Sequence, residues 1–412
     1  NNLVRYTAAT SLNGNTGGAT TNTTHYSLSA DLTRSATLNF SSIAIDTSAN
    51  PVTLDMGTFN LSSSGNGRSI LVTGSNNATI TSSTGVFTSG QSYNIANYGT
   101  GTTTMAVGST NVAIVKNGPG LVNYTSSALP GDVYVTQGAL RFSAAMNYTT
   151  GVLRVFGDGV LEIGADLNDT ADGDFTRASG AAAGQVAIIG NGGFSAHGAD
   201  RVVAIGGTAA PTALTWGGSN FLAANTTDNE YVFKLGSTTS THTLEFRNAI
   251  ALGTRHRVVD VADGTSATNV DARLTGVLSG TGTLAKTGTG TLELTGANTY
   301  SGGTLLREGR LLISNDGSSS ATGTGYVWTT QNTVLGGSGA IAPTGTGEIT
   351  IGGSVAPGTP ATNDGAGTLI FTPASRNATF TSTSTADFQL RTNGTHGLTA
   401  LFNPDGTLAS VT

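Results

Sequence analysis

Glycine punctuates this chain from end to end, bracketing short runs of Leu, Ile, Val and Phe. A glycine inside a helix or strand costs about 0.5–1 kcal/mol relative to alanine. Dispersed through regular elements, the 59 glycines would cost on the order of 30–60 kcal/mol, several times the net stability of a domain. They therefore belong at turns, and the chain turns often. Between turns, runs such as Val133-Tyr134-Val135 and Thr291-Leu292-Glu293-Leu294 alternate with period two, the pattern of strands with one buried face. Helix is disfavoured because only 10% of the residues are charged and a soluble helix needs a charged outer face. Disorder is disfavoured because 37% of the residues are hydrophobic and the formal charge is only −6, whereas disordered chains are poor in apolar residues and highly charged. An all-β fold remains.

The sequence repeats itself. Residues 279–313 run as short strands separated by glycine turns, with Lys286-Thr287-Gly288-Thr289-Gly290-Thr291-Leu292 at one end and Glu308-Gly309-Arg310-Leu311 near the other. A degenerate copy lies upstream, within 111–145. Val115-Lys116-Asn117-Gly118-Pro119-Gly120-Leu121 matches at the lysine and both glycines, and Gln137-Gly138-Ala139-Leu140 matches the second element. One copy has too little apolar surface to close a core: Leu292, Leu294, Leu306, Leu311 and Ile313 point one way while Thr and Glu point the other. Stacking coils on one another supplies the missing half, with strands about 4.8 Å apart and each buried Leu or Ile contributing about 1.5–3 kcal/mol. The expected product is a β-solenoid with about 22–25 residues per coil.

The segment Lys286–Leu292, the run Gly296-Ala297-Asn298-Thr299-Tyr300-Ser301-Gly302-Gly303-Thr304 and Glu308–Leu311 together resemble the autotransporter-associated β-strand repeat, also called the passenger-associated transport repeat. The likeness is tight over 279–313 and loose over 111–390. It implies a right-handed parallel β-helix exported to the bacterial cell surface. With no Pro-rich linker or charge run to divide the chain, one continuous solenoid over 1–412 is expected, with longer loops in the acidic, aromatic-richer 146–247 and terminal coils in 314–412. Asn1-Asn2-Leu3-Val4-Arg5 is unlike a secretory leader, and the last residues have no counterpart of the family's membrane β-barrel. The expectation is a fragment or a processed product that does not transport itself.

For chemistry the sequence offers little. No G-x-S-x-G elbow and no H-E-x-x-H pair occurs. His25, His197, His242, His256 and His396 are dispersed and are expected on solvent-facing strand positions. Asp166, Asp169, Asp172 and Asp174 form the one dense carboxylate cluster. With Gly173 allowing a tight turn, they are a calcium candidate, against which stands a solvated Asx-rich turn. The same acids, or Glu162, are the residues that a polysaccharide-cleaving β-helix would use. Trp216, Trp328 and the tyrosines are candidate sugar-stacking faces, while Tyr300 is expected to pack at a corner.

The function expected from these features is non-enzymatic: an extracellular or cell-surface structural and adhesive protein that self-associates head-to-tail or laterally into a filament or layer. The alternatives are a glycan-binding adhesin and a polysaccharide-acting enzyme. With 18 Lys and Arg scattered over 412 residues, no basic field exists for nucleic acid. No apolar stretch is long enough for a spanning helix.

Overall fold

The computed structural model describes residues 9–411 apart from 19, 22, 64–67, 89–91, 110–111, 128–130, 146–150, 166, 168–173, 224–230, 266–269, 345–346, 359–368, 373–377, 382–384, 387–399 and 403–407. Among the described residues there is no helix; the elements are short strands, most of them two to five residues long. Nearly all pair in parallel with the strand one coil away, the exception being the antiparallel pair Ala400–Phe402 and Leu408–Val411. This is the parallel β-solenoid expected from the glycine-bracketed runs. The chain divides into two compact units, Asn1–Gly193 and Phe194–Thr412.

The strands of the first unit fall into two sheets, and from Ser69–Thr73 onward successive strands alternate between them. One has nine strands running from Thr10–Ser11 to Val186–Ile188. The other stacks Ala78–Thr88, Thr103–Ser109, Val122–Tyr124, Gly138–Phe142 and Gly159–Ile163. The side-chain period of two turns each ladder into a column. Along the nine-stranded sheet Tyr26, Ile43, Ile70, Ile95, Lys116, Val135, Val155 and Ile188 lie one above another in register, and all are buried.

The second unit is three-sided. Its eight-stranded sheet carries the columns Val203-Phe246-Leu274-Leu294-Ile313 and Leu244-Ala272-Leu292-Leu311-Leu335. A second sheet carries Phe233, Val259, Lys286, Leu306, Thr329 and Ile351 in register. A short third sheet joins Leu214–Thr215, Ile250–Ala251 and Leu278–Ser279. Leu292, Leu294, Leu306, Leu311 and Ile313 are all fully buried; Leu306 lines the interior from the second sheet, the other four from the eight-stranded one.

The coil step varies about the value expected from the sequence, from 25 residues between Ile70 and Ile95 to 19 between Lys116 and Val135. In the regular part it is 20 residues, as in the contacts Arg273–Glu293 and Leu278–Asn298. It lengthens to 33 between Asp158 and Asn191 and to 43 between Ile205 and Asn248. The columns continue across these longer excursions because register is set by the strands alone.

Candidate functional site

Lys116 and Lys286 occupy positions in aliphatic columns, each with 0% of its surface exposed. Alternation forces this placement: Lys116 shares parity with Ile114, and Lys286 with Leu284, both buried. A buried ammonium has three donors and no acceptor, so it requires three acceptors around it. Each lysine finds them in backbone carbonyls. Lys116 Nζ donates to the carbonyls of Asn117 at 3.1 Å, Gly118 at 2.6 Å and Gln137 at 2.7 Å. Lys286 Nζ donates to those of Thr287 at 3.0 Å, Gly288, and Glu308 at 3.0 Å. Two of the three acceptors belong to the turn after the lysine's own strand, and the third to the turn of the following coil. The lysine thus fastens one coil to the next at the same place in both units.

The flanking glycines explain why the turn can close on an ammonium. Gly118 and Gly288 have φ of +77° and +73°. A Cβ on Gly288 would lie 2.3 Å from the Val261 carbonyl oxygen, and one on Gly118 would lie 2.4 Å from that of Asn97. The turn therefore rests on the coil beneath with no room for a side chain, and its residues need the left-handed region that glycine adopts without penalty.

Burial pushes the Lys116 ammonium down from its ordinary 10.5 to about 7. Burial also pushes Lys286 down, to about 8, while Asp260, Glu308, Asp271 and Asp263 pull it back up. Asp271 is itself raised by burial, though its carboxylate accepts from the backbone N–H groups of Gly264 and Thr291.

The remaining distinctive residues of 279–313 also serve as coil-to-coil connectors. Asn298 Oδ1 accepts from Leu278 N–H of the coil below at 2.7 Å, and its Nδ2 donates to the Ala321 carbonyl of the coil above at 2.6 Å. Tyr300 is fully buried, and its hydroxyl shares a 2.5 Å hydrogen bond with Thr304 Oγ1. It packs at a corner as expected and has no face for a ligand. Residues 284–313 match the passenger-associated transport repeat. No curated protein and no solved structure matches the chain. Lys286, Asn298 and Tyr300 of the repeat are thus engaged with backbone or with a neighbouring side chain inside the stack. The repeat element is a connector between coils, and Lys116 and its glycines place an equivalent connector in the first unit.

The other sequence candidates fare differently. Asp166, Asp169 and Asp172 lie outside the described residues, and Asp174 is half-buried. Among the described residues no group of three His, Asp or Glu side chains is gathered for a metal. Glu162 is fully buried and ion-paired with Arg141, although it lies on the face of its strand opposite Leu161 and Ile163, so it is withdrawn from solvent and from substrate. His25, His197, His242 and His256 are half-buried rather than solvent-facing, and far apart in the sequence. His25 Nδ1 pairs with Ser42 Oγ at 2.7 Å and His242 Nδ1 with Thr241 Oγ1 at 2.8 Å. His396 lies outside the described residues. Trp216 is buried against Phe221 and Phe233, whereas Trp328 is half exposed.

Motif and composition alone do not single out the two connector lysines as a functional pair. The signal was present in the parity they share with Leu284 and Ile114 and in the glycine that follows each by two residues.

Proposed function

We infer that the chain is a passenger-type surface protein whose task is architectural: a non-enzymatic β-solenoid that presents its outer face to the surroundings of the cell and associates with further copies of itself. The observation that carries this reading is the commitment of Lys286, Asn298, Tyr300 and the repeat glycines to holding coil on coil. A repeat whose lysine, asparagine and tyrosine are turned inward contributes shape and persistence rather than chemistry. The mild acidity and hydroxyl-rich composition suit a solvated outer wall.

The experiment has two arms. Protease shaving and antibody labelling of intact source cells should reach the protein without lysis. Light scattering and negative-stain imaging of the purified chain should show assemblies at micromolar concentration. Protection from both reagents on intact cells would overturn the surface assignment, and strictly monomeric particles would overturn self-association. Release of reducing ends from any of a panel of polysaccharides would overturn the non-enzymatic assignment.

A further inference from the structure

The large aromatic side chains of the second unit are mostly internal, with Trp216, Phe221, Phe233 and Phe246 packed edge-on or stacked among themselves. Two are not. Trp328 is 50% exposed and Tyr326 38% exposed. They stand two residues apart at the strand Val327–Thr329, whose Val327 and Thr329 face the interior, so both aromatic side chains project outward about 6.6 Å apart along the strand. Below them in register lie Gly303 and Leu305, and above Trp328 lies Thr350.

Gly303 makes Tyr326 a platform. It has φ of +99°, and a methyl group there would sit 2.6 Å from Tyr326 Cδ1, 2.7 Å from Cε1 and 2.8 Å from Cγ. The ring therefore lies flat on the Gly303 backbone, one face covered and the other turned to solvent. The patch is rimmed by exposed Arg307 and Glu348 and half-buried Thr283 and Thr350, a set of hydrogen-bonding groups with no net charge.

This chemistry selects among occupants. A protein partner needs about 800 Å² per side, and two partly exposed rings, which bury about 150–250 Å² each only when fully covered, fall well short. An anionic lipid surface needs clustered Lys or Arg, and here one Arg is balanced by one Glu. A pyranose presents an apolar C–H face to an aromatic ring and hydroxyls at its edge to groups such as Thr350, Glu348 and Arg307. We propose that Tyr326 and Trp328 form a binding platform for a neutral polysaccharide, adjacent sugar rings stacking on adjacent side chains. The proposal deepens the surface role inferred above, on which its access to glycan depends.

The test is native affinity electrophoresis of the full chain through gels containing hydroxyethylcellulose, galactomannan or soluble starch. At least one polymer should retard the protein, and Trp328→Ala should weaken that binding about tenfold or more, the loss expected for an aromatic anchor. Tyr326→Thr, which suits a strand, should weaken it too. Trp216 is 2% exposed and is the only other tryptophan, so acrylamide quenching reports Trp328, and the retarding polymer should protect it. Wild-type protein that runs unretarded in all three gels overturns the proposal, as do variants retarded like the wild type. Those results would leave the architectural role standing, since cell-surface exposure and self-association are read without any glycan.

Discussion

Lys286→Met is the sharpest probe of the connector, because it keeps an unbranched side chain one atom shorter and removes all three donors. The carbonyls of Thr287, Gly288 and Glu308 then face a thioether, and at about 2 kcal/mol for each buried acceptor left unpaired the loss is about 6 kcal/mol. Against this, the burial that lowers the ammonium from 10.5 to about 8 corresponds to about 3 kcal/mol that the variant no longer bears. The expected net destabilisation near pH 7 is about 3 kcal/mol. The wild type carries a second signature. Its folded-state value of about 8 lies below the 10.5 of the unfolded chain, so between these values the unfolded chain binds more protons and stability rises with pH. That contribution is complete above 10.5 and is lost as the pH falls through about 8. The methionine variant lacks it, and the gap between the two proteins should widen to about 5 kcal/mol near pH 10. Both tryptophans, Trp216 and Trp328, lie in the same unit as Lys286. Urea unfolding followed by tryptophan fluorescence at pH 7 and 9.5 therefore reads the right part of the chain. A variant within about 0.5 kcal/mol of the wild type, or a gap that narrows as the pH rises, would refute the connector.

Gly288→Ala should cost about 3 kcal/mol or more, since it meets the Val261 carbonyl and is strained at its positive φ. Gly14→Ala has a similar φ of +75° but nothing within 4 Å, and should cost about 1–2 kcal/mol. Urea midpoints by circular dichroism decide the pair, and equal losses would show that close approach to the coil beneath is not what selects glycine. In the first unit, Glu162→Leu removes the carboxylate ion-paired with the buried Arg141 and should cost about 3–5 kcal/mol, while Arg141→Met with Glu162→Leu should recover most of it. A double variant no more stable than the single one would remove the ion pair as the reason for that burial.

Much of this architecture could be read from the residues. Glycine spacing and period-two alternation were enough for an all-β stack, and they placed Leu292, Leu294, Leu306, Leu311 and Ile313 in the interior, though not that Leu306 comes from a different sheet. The lysines were harder. A charged residue between Thr and Ala reads as solvent-facing, and only its three carbonyl partners, contributed by a turn and by a coil about 20 residues on, make burial tolerable. Glu162 misled for a related reason: alternation assigns it to the outer face, correctly, yet that face is covered. The flat seat of Tyr326 depends on a glycine one coil below it, a relation that appears only once the coil step is known.

The long excursions between Asp158 and Asn191 and between Ile205 and Asn248 show what kind of change this scaffold absorbs. Order resides in the vertical alignment of a few residues per turn, so the distance the chain travels between them is nearly free to vary. A foreign peptide spliced into such an excursion would be carried outward without disturbing the layers on either side, which makes the fold a natural display rack and gives sequence drift its safest outlet at the corners.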